Sequence, residues 1–266
     1  MRRPPSTRCA ELAAAIVFAL PALCAAQSAP AVPELVTDRP GFGESSGVVG
    51  RGTIQIETGL TLEQTDPTRR QLTAPQVLAR VGVAPRVELR VSADGLIDQS
   101  VRLPSGRAHT DGRSDAEVGG KVKLLDESRA GVDVAVLPYV SLPTASSGFG
   151  SGHSDPGFKV VAARGMPRGL GLSATFNAAD ASGDSGRTWQ REISVSLDHG
   201  VGGGVGAYGE VDGSFAGRGC GCSVDGGITV PVGVNGQFDL EVGRGVHGEA
   251  QQWFVGAGFV VRHVHR

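Results

Sequence analysis

The chain lacks most of what would mark a soluble enzyme or a helical membrane protein. No stretch approaches the roughly 20 apolar residues that a membrane-crossing helix needs. Aromatic residues make up 5%, with two Trp and two Tyr. Formal net charge is -2 over 266 residues, so there is no basic field to draw a nucleic acid. Cysteines number four. Two of them, Cys9 and Cys24, fall in the first 26 residues, and no disulfide framework remains beyond that point. A bridge between Cys220 and Cys222 would be strained in extended backbone, and the pair reads as small residues near a loop.

What is present points to β structure. Glycine is abundant, at 41 residues, without a collagen period. It costs about 1 kcal/mol in a helix relative to alanine, so this composition favours strands and turns. With 40% hydrophobic and 20% charged residues, the chain is too apolar for disorder.

The first 26 residues read as a cleavable signal peptide. Arg2, Arg3 and Arg8 form a basic start, Leu12 to Leu23 an apolar core, and Cys24-Ala25-Ala26 a small-residue cleavage site. Leu23 stands where a lipobox wants a small residue, which argues against lipidation. Residues 27–50 are rich in Pro, Gly and Ser and have no strand period. They form a periplasmic lead-in or a plug, and residues 51–266 form the β-domain.

From Gly52 onward apolar and polar residues alternate with period 2. Ile54, Ile56, Leu60 and Leu62 share one face, and Gln55, Glu57, Thr61 and Glu63 the other. Val87, Leu89 and Val91 oppose Glu88, Arg90 and Ser92. Val118, Val122 and Leu124 alternate with Glu117, Lys121 and Lys123. Phe238, Leu240 and Val242 alternate with Asp239 and Glu241. Continued to Val261, this gives about twelve strands of roughly ten residues, the length of a tilted membrane-spanning strand. Short connections at 84–86, 126–131, 165–169, 199–203 and 231–236 alternate with longer ones at 64–70, 95–114, 142–154, 180–187, 215–222 and 246–250. The expected fold is therefore all-β, an antiparallel up-and-down transmembrane β-barrel with short periplasmic turns and longer extracellular loops. The competing architecture is a soluble periplasmic β protein, since a sandwich shares the alternation.

In a barrel the polar face lines the lumen. Glu57, Arg90, Lys121, Asp133, Lys159, Glu192, Glu210, Asp212, Asp239 and Glu241 are the candidates for a substrate pathway or for internal ion-pair ladders. Asp38, Arg39 and Pro40 form a candidate plug or latch. The alternative for them is a lead-in with Arg39 paired at the rim.

Thr37-Asp38-Arg39-Pro40-Gly41-Phe42, then Glu44-Ser45, then Gly52-Thr53-Ile54-Gln55-Ile56-Glu57-Thr58-Gly59 resembles the opening of a bacterial family. This is the outer-membrane transporter family associated with the meta-cleavage pathway of phenol degradation. Leu142-Pro143-Thr144 and Asp155-Pro156-Gly157-Phe158-Lys159 resemble its middle. The resemblance covers essentially the whole chain after the signal peptide, and implies an outer-membrane β-barrel transporter. It does not imply phenol as substrate. Barrels of this type usually end on an aromatic residue read by the assembly machinery, whereas this chain ends Arg262-His263-Val264-His265-Arg266.

Catalytic and metal sites find little support. Gly183-Asp184-Ser185-Gly186 is similar to the nucleophile segment of trypsin-like proteases, but no matching His segment exists and a turn is the better reading. His153-Ser154-Asp155 are chain neighbours and cannot converge by themselves. His263 and His265 could share a metal only with a further ligand. The glycines at 202–204 precede no helix, so they make no phosphate loop. No cofactor and no metal is expected. The expected function is a passive transporter or channel for small or apolar molecules, not an enzyme, with outer-membrane lipid and the assembly machinery as partners. The alternative is a non-conducting structural or adhesive barrel.

Overall fold

The computed structural model describes residues 35–183, 186–217 and 219–264. The signal peptide, Asp184, Ser185 and His265 lie outside the described residues. The strands are β1 (Thr53–Gln64), β2 (Arg69–Ala84), β3 (Val87–Leu103), β4 (Gly106–Gly112), β5 (Ala116–Leu125), β6 (Asp133–Leu142) and β7 (Asp155–Met166). Then follow β8 (Leu170–Gly183), β9 (Gly186–Gly202), β10 (Val205–Ala216), β11 (Gly219–Val232), β12 (Gly236–Gly248) and β13 (Trp253–Val264).

All are in one antiparallel sheet, and the sheet closes. The last strand pairs with the first along its whole length, from Thr53↔Val264 to Gln64↔Trp253. Within the sheet β4 pairs with β3 alone and projects from the ring, leaving twelve strands around the lumen. Ten residues, the length of β5 and β6, rise about 33 Å, and at a tilt near 40° span about 25 Å, a bilayer's apolar depth.

Burial is inverted relative to a soluble protein. Leu89 is 55% exposed and Val242 60%, whereas Arg80, Glu88 and Lys121 are fully buried. Outward residues such as Ile54, Leu60, Val91, Val118, Ile193, Ile228, Leu240 and Val261 form an exposed apolar belt around the ring. Water would not tolerate so large an apolar surface, and lipid requires it. This overturns the soluble-sandwich alternative.

Three stretches read as loops are in large part strands instead. Residues 95–103 extend β3 and pair with β4 as a hairpin, from Ile97↔Gly112 to Leu103↔Gly106. At 180–187 and 215–222, β8 pairs on with β9 to Gly183↔Gly186, and β10 with β11 to Ala216↔Gly219. Gly, Ser and Asp there suggest loops by composition, but a neighbouring strand supplies the ladder bonds. At the opposite end β9 and β10 are joined through Gly203 and Gly204, both with positive φ (62° and 81°), as a tight hairpin needs. Cys220 and Cys222 are buried on β11 beside Val211, Phe215 and Val224, and form no disulfide.

Candidate functional site

Residues 35–50 make no strand, yet they reach strands on every side of the ring. The Asp38 N–H donates to Glu57 on β1, at 3.0 Å. Val49 N–H donates to Glu88 on β3 (2.6 Å), Glu44 N–H to Thr175 on β8 (3.0 Å), and Phe42 N–H to Glu210 on β10 (2.9 Å). Gly41 N–H donates to Glu241 on β12, at 3.0 Å. A segment that touches opposite walls of a closed ring at once lies inside it.

Two consecutive side chains hold it in opposite directions. Asp38 points to the β2–β5 wall. There Lys121 Nζ is 2.9 Å from its Oδ1 and Arg80 Nη1 3.2 Å from its Oδ2, with Arg90 also hydrogen-bonded to it. These cations are themselves paired. Arg80 donates to Glu57 (2.8 Å) and Glu88 (2.9 Å), and Arg90 to Glu88 (3.0 Å) and Glu44 (2.9 Å). Glu44 continues the network to Lys159, at 2.5 Å. Burial alone would raise the Asp38 carboxyl, but Arg80, Lys121 and Arg90 outweigh it and hold it well below the ordinary carboxylate range. Burial likewise opposes ionisation of Glu44, and Lys159, with Arg90 and Lys121, overcomes both that and the nearby Asp38 charge, so its carboxyl also sits low.

Arg39 points to the β12–β13 wall. It lies 3.4 Å from Asp239 and 4.0 Å from Glu241, donates to the Ala257 carbonyl at 3.5 Å, and reaches Gln76 on β2 at 3.3 Å. Its seat is made by two glycines opposite each other across the β1–β13 seam, Gly59 and Gly258. A Cβ at Gly59 would stand 2.5 Å from Arg39 Cζ, and one at Gly258 would overlap Arg39 Nε. Pro40 follows a cis peptide bond. Phe42 stands edge-on to Phe254, with ring centroids 5.4 Å apart.

All ten lumen candidates lie on inward faces, but not in one site. Glu57, Arg90, Lys121 and Lys159 belong to the Asp38–Glu44 network, and Glu210, Asp239 and Glu241 hold the other side of the segment. Asp133 touches the far end of the segment, where Ser46 Oγ donates to it at 3.5 Å, and it is otherwise paired with Lys123 at 2.9 Å and accepts from the Glu127 N–H at 2.7 Å. Glu192 and Asp212 line a cavity of about 170 Å³, together with Phe42, Lys159, Thr175 and Ser194. A second cavity, about 150 Å³, lies between Glu44, Leu78, Glu117, Leu137 and Tyr139. Sequence reasoning missed Arg80, Glu88 and Glu44 as site residues. The turn at 84–86 carried a signal for the first two, because it sets Arg80 opposite Arg90 and one rung from Glu88. Asp155 accepts from Ser182 Oγ at 2.7 Å and pairs with Arg187 at 3.4 Å, a loop-fastening role. Among the described residues no group of His, Cys, Asp or Glu is arranged to hold a metal ion.

The family described as the MetA-pathway of phenol degradation matches residues 37–263. The chain belongs to this family. The match begins at Thr37, so the Asp38–Arg39 segment is part of the family's unit and not an appendage to it. Among solved structures, an outer-membrane channel from Pseudomonas putida F1 superposes with a TM-score of 0.66 at 12% identity, over 85% of this chain and 99% of that one. The KdgM porin gives 0.52 at 11% identity, over 79% and 99%, and the NanC porin 0.50 at 9%, over 78% and 98%. At such identities the likeness is one of fold. That fold is the outer-membrane β-barrel, and the apolar belt places this chain in that membrane. No curated protein matches in sequence.

Proposed function

We propose that the chain is a passive outer-membrane channel for small molecules, and that residues 35–50 are a latch holding its lumen shut in this conformation. The observation that carries this is what fills the lumen. A twelve-stranded ring is wider than the small barrels that wall side chains alone can fill. Here the remaining space is taken by a segment that is not part of the wall, held by ion pairs and hydrogen bonds. Such contacts can be released without exposing a large apolar surface. The solved structures of like fold include a channel and two porins, which agrees with this reading. The two cavities beside the latch accommodate small solutes only.

The ion-pair saturation around Asp38 favours a second reading, a barrel that stays closed and serves as a structural or adhesive platform. Swelling of proteoliposomes containing the purified full chain separates the two. The channel reading expects size-dependent entry of small solutes, faster for Asp38→Asn than for the unaltered chain. Absence of uptake by both proteins would overturn it in favour of the closed platform.

A further inference from the structure

The two walls of the lumen carry different charge. Arg80, Arg90, Lys121 and Lys159 all project from β2–β7. Arg80 and Arg90 pair with Glu57 and Glu88 of the strands, Lys121 pairs with Asp38 and Glu44 of the latch, and Lys159 pairs with Glu44 and shares a cavity with Glu117. The β9–β12 wall presents Glu192, Glu210, Asp212, Asp225, Asp239 and Glu241. Among the described residues the one cation within ion-pair distance of this wall is Arg39, which belongs to the latch and not to the barrel.

The carboxylates of this wall are also poorly satisfied. Glu210, Asp212 and Asp225 are approached by the neutral hydroxyls of Ser194, Ser223 and Tyr208, and buried oxygens of Glu210, Asp212, Asp225 and Asp239 lack a well-formed hydrogen bond. Asp239 is fully buried and Glu210 4% exposed. Buried carboxylate oxygens are normally paired, because leaving one unpaired costs its full desolvation. A row of carboxylates along one wall, served by neutral donors and by no cation of the barrel, is a set of acceptors open to a mobile cation. They are strung from the cavity at Glu192 and Asp212 down to Asp239 and are not gathered into a ligand set, an arrangement for passage rather than capture.

Resting on the reading that the barrel conducts, we infer that its path follows the β9–β12 wall and passes small cations, alkylammonium ions included, in preference to anions. In the latched state Arg39 occupies this path as a tethered cation. With the latch withdrawn, Arg80 and Arg90 keep Glu57 and Glu88, Lys121 and Lys159 lose Asp38 and Glu44 with Glu117 left beside Lys159, and the acidic wall loses its one counter-charge. Acidic side chains lining a pore select for cations in this way. Phe42, 49% exposed beside the cavity at Glu192 and Asp212, offers an aromatic face to an alkylammonium ion passing there.

The test is the reversal potential across a planar bilayer under a tenfold KCl gradient, measured on the full chain and on its Asp38→Asn variant. The expected potassium-to-chloride permeability ratio is above about five, and replacing potassium by tetramethylammonium keeps the cation preference. The double variant Asp225→Asn, Asp239→Asn, isosteric with the native chain, should lower the ratio at least about twofold. Lys159→Gln should leave it on the cation side. Current with a ratio of one or less, or a ratio indifferent to the double variant, would overturn the cation path alone. Rejection of tetramethylammonium would overturn the alkylammonium class. No current from either protein would overturn the conduction reading and this inference with it.

Discussion

On the β2–β5 side of the lumen Asp38 meets Arg80 and Lys121 at 2.9–3.2 Å, and Arg80 holds Glu57 and Glu88 as well, at 2.8–3.0 Å. On the β12–β13 side Arg39 meets its partners at 3.3–4.0 Å, and the neighbouring carboxylates have no cation of the barrel paired with them. The same dipeptide is thus clamped at one residue and loosely held at the next. A buried charge is stable only when it is closely paired, so the first wall is the anchor and the second the end that lets go first. The difference also separates what each wall is for. A satisfied network fixes geometry, and an unsatisfied one leaves valences for something that moves.

The largest blow to this contrast is Asp38→Ala. It leaves Arg80, Arg90 and Lys121 short of a shared carboxylate, and removing one partner of a buried pair costs about 3–5 kcal/mol. Limited proteolysis at residues 35–50, with a matching rise in conductance, should report a released latch. Unchanged protection would place the anchor elsewhere.

Acid should act on the same wall more gradually. Asp38 and Glu44 ionise at lower pH when seated than when free. Their contribution is therefore complete above the ordinary carboxylate values, 3.8 and 4.5, and is lost as pH falls through the depressed ones. The groups facing them are Glu57 from β1, Arg80 from β2, Glu88 and Arg90 from β3, Lys121 from β5 and Lys159 from β7. Conductance should be flat from pH 7 to pH 5 and rise only below that carboxylate range. A rise already at pH 6 would contradict the assignment.

Gly258→Val tests the loose side sterically. The new side chain occupies the seat of Arg39, and overpacking of this kind costs about 1–3 kcal/mol. Arg39 should leave its place while Asp38 stays in its own, which distance measurements between spin labels on the segment and the wall can show. Arg39→Ala should be mildest, roughly 1 kcal/mol, since its contacts are long and 17% of its side chain is exposed. If it loosens the latch as much as Asp38→Ala does, the two walls do not differ in the way described.

Much of the wall was legible from the chain. Period 2 assigns Ile54 and Ile56 outward and Gln55 and Glu57 inward without knowledge of any neighbour, because the pleat enforces it. Partnership was not legible. Asp38 finds Lys121 only because the ring brings residues 83 positions apart together, and register across several strands decides which charge faces which. The inward apolar residues Leu137, Val161, Phe254 and Val260 were hidden for a related reason. They break the polar alternation, and only the three-dimensional lumen shows that they pack there in place of water. The strand ends at 180–183, 186–187, 215–216 and 219–222 have weak local preference and exist through pairing, which composition does not record.

The seam between β1 and β13 sets an order of events during assembly. Arg39 bonds to groups 200 and 218 positions further along the chain, Asp239 on β12 and the Ala257 carbonyl on β13. Half of its glycine seat is Gly258 on that last strand. The segment exported early therefore has no complete place to rest until the final strand has docked against the first. Loop-closure entropy makes contacts of such separation slow to form. A seated Arg39 is thus a chemical record that the ring was completed, and a barrel lacking its last strand would hold this segment by Asp38 alone, with the Arg39 end unseated.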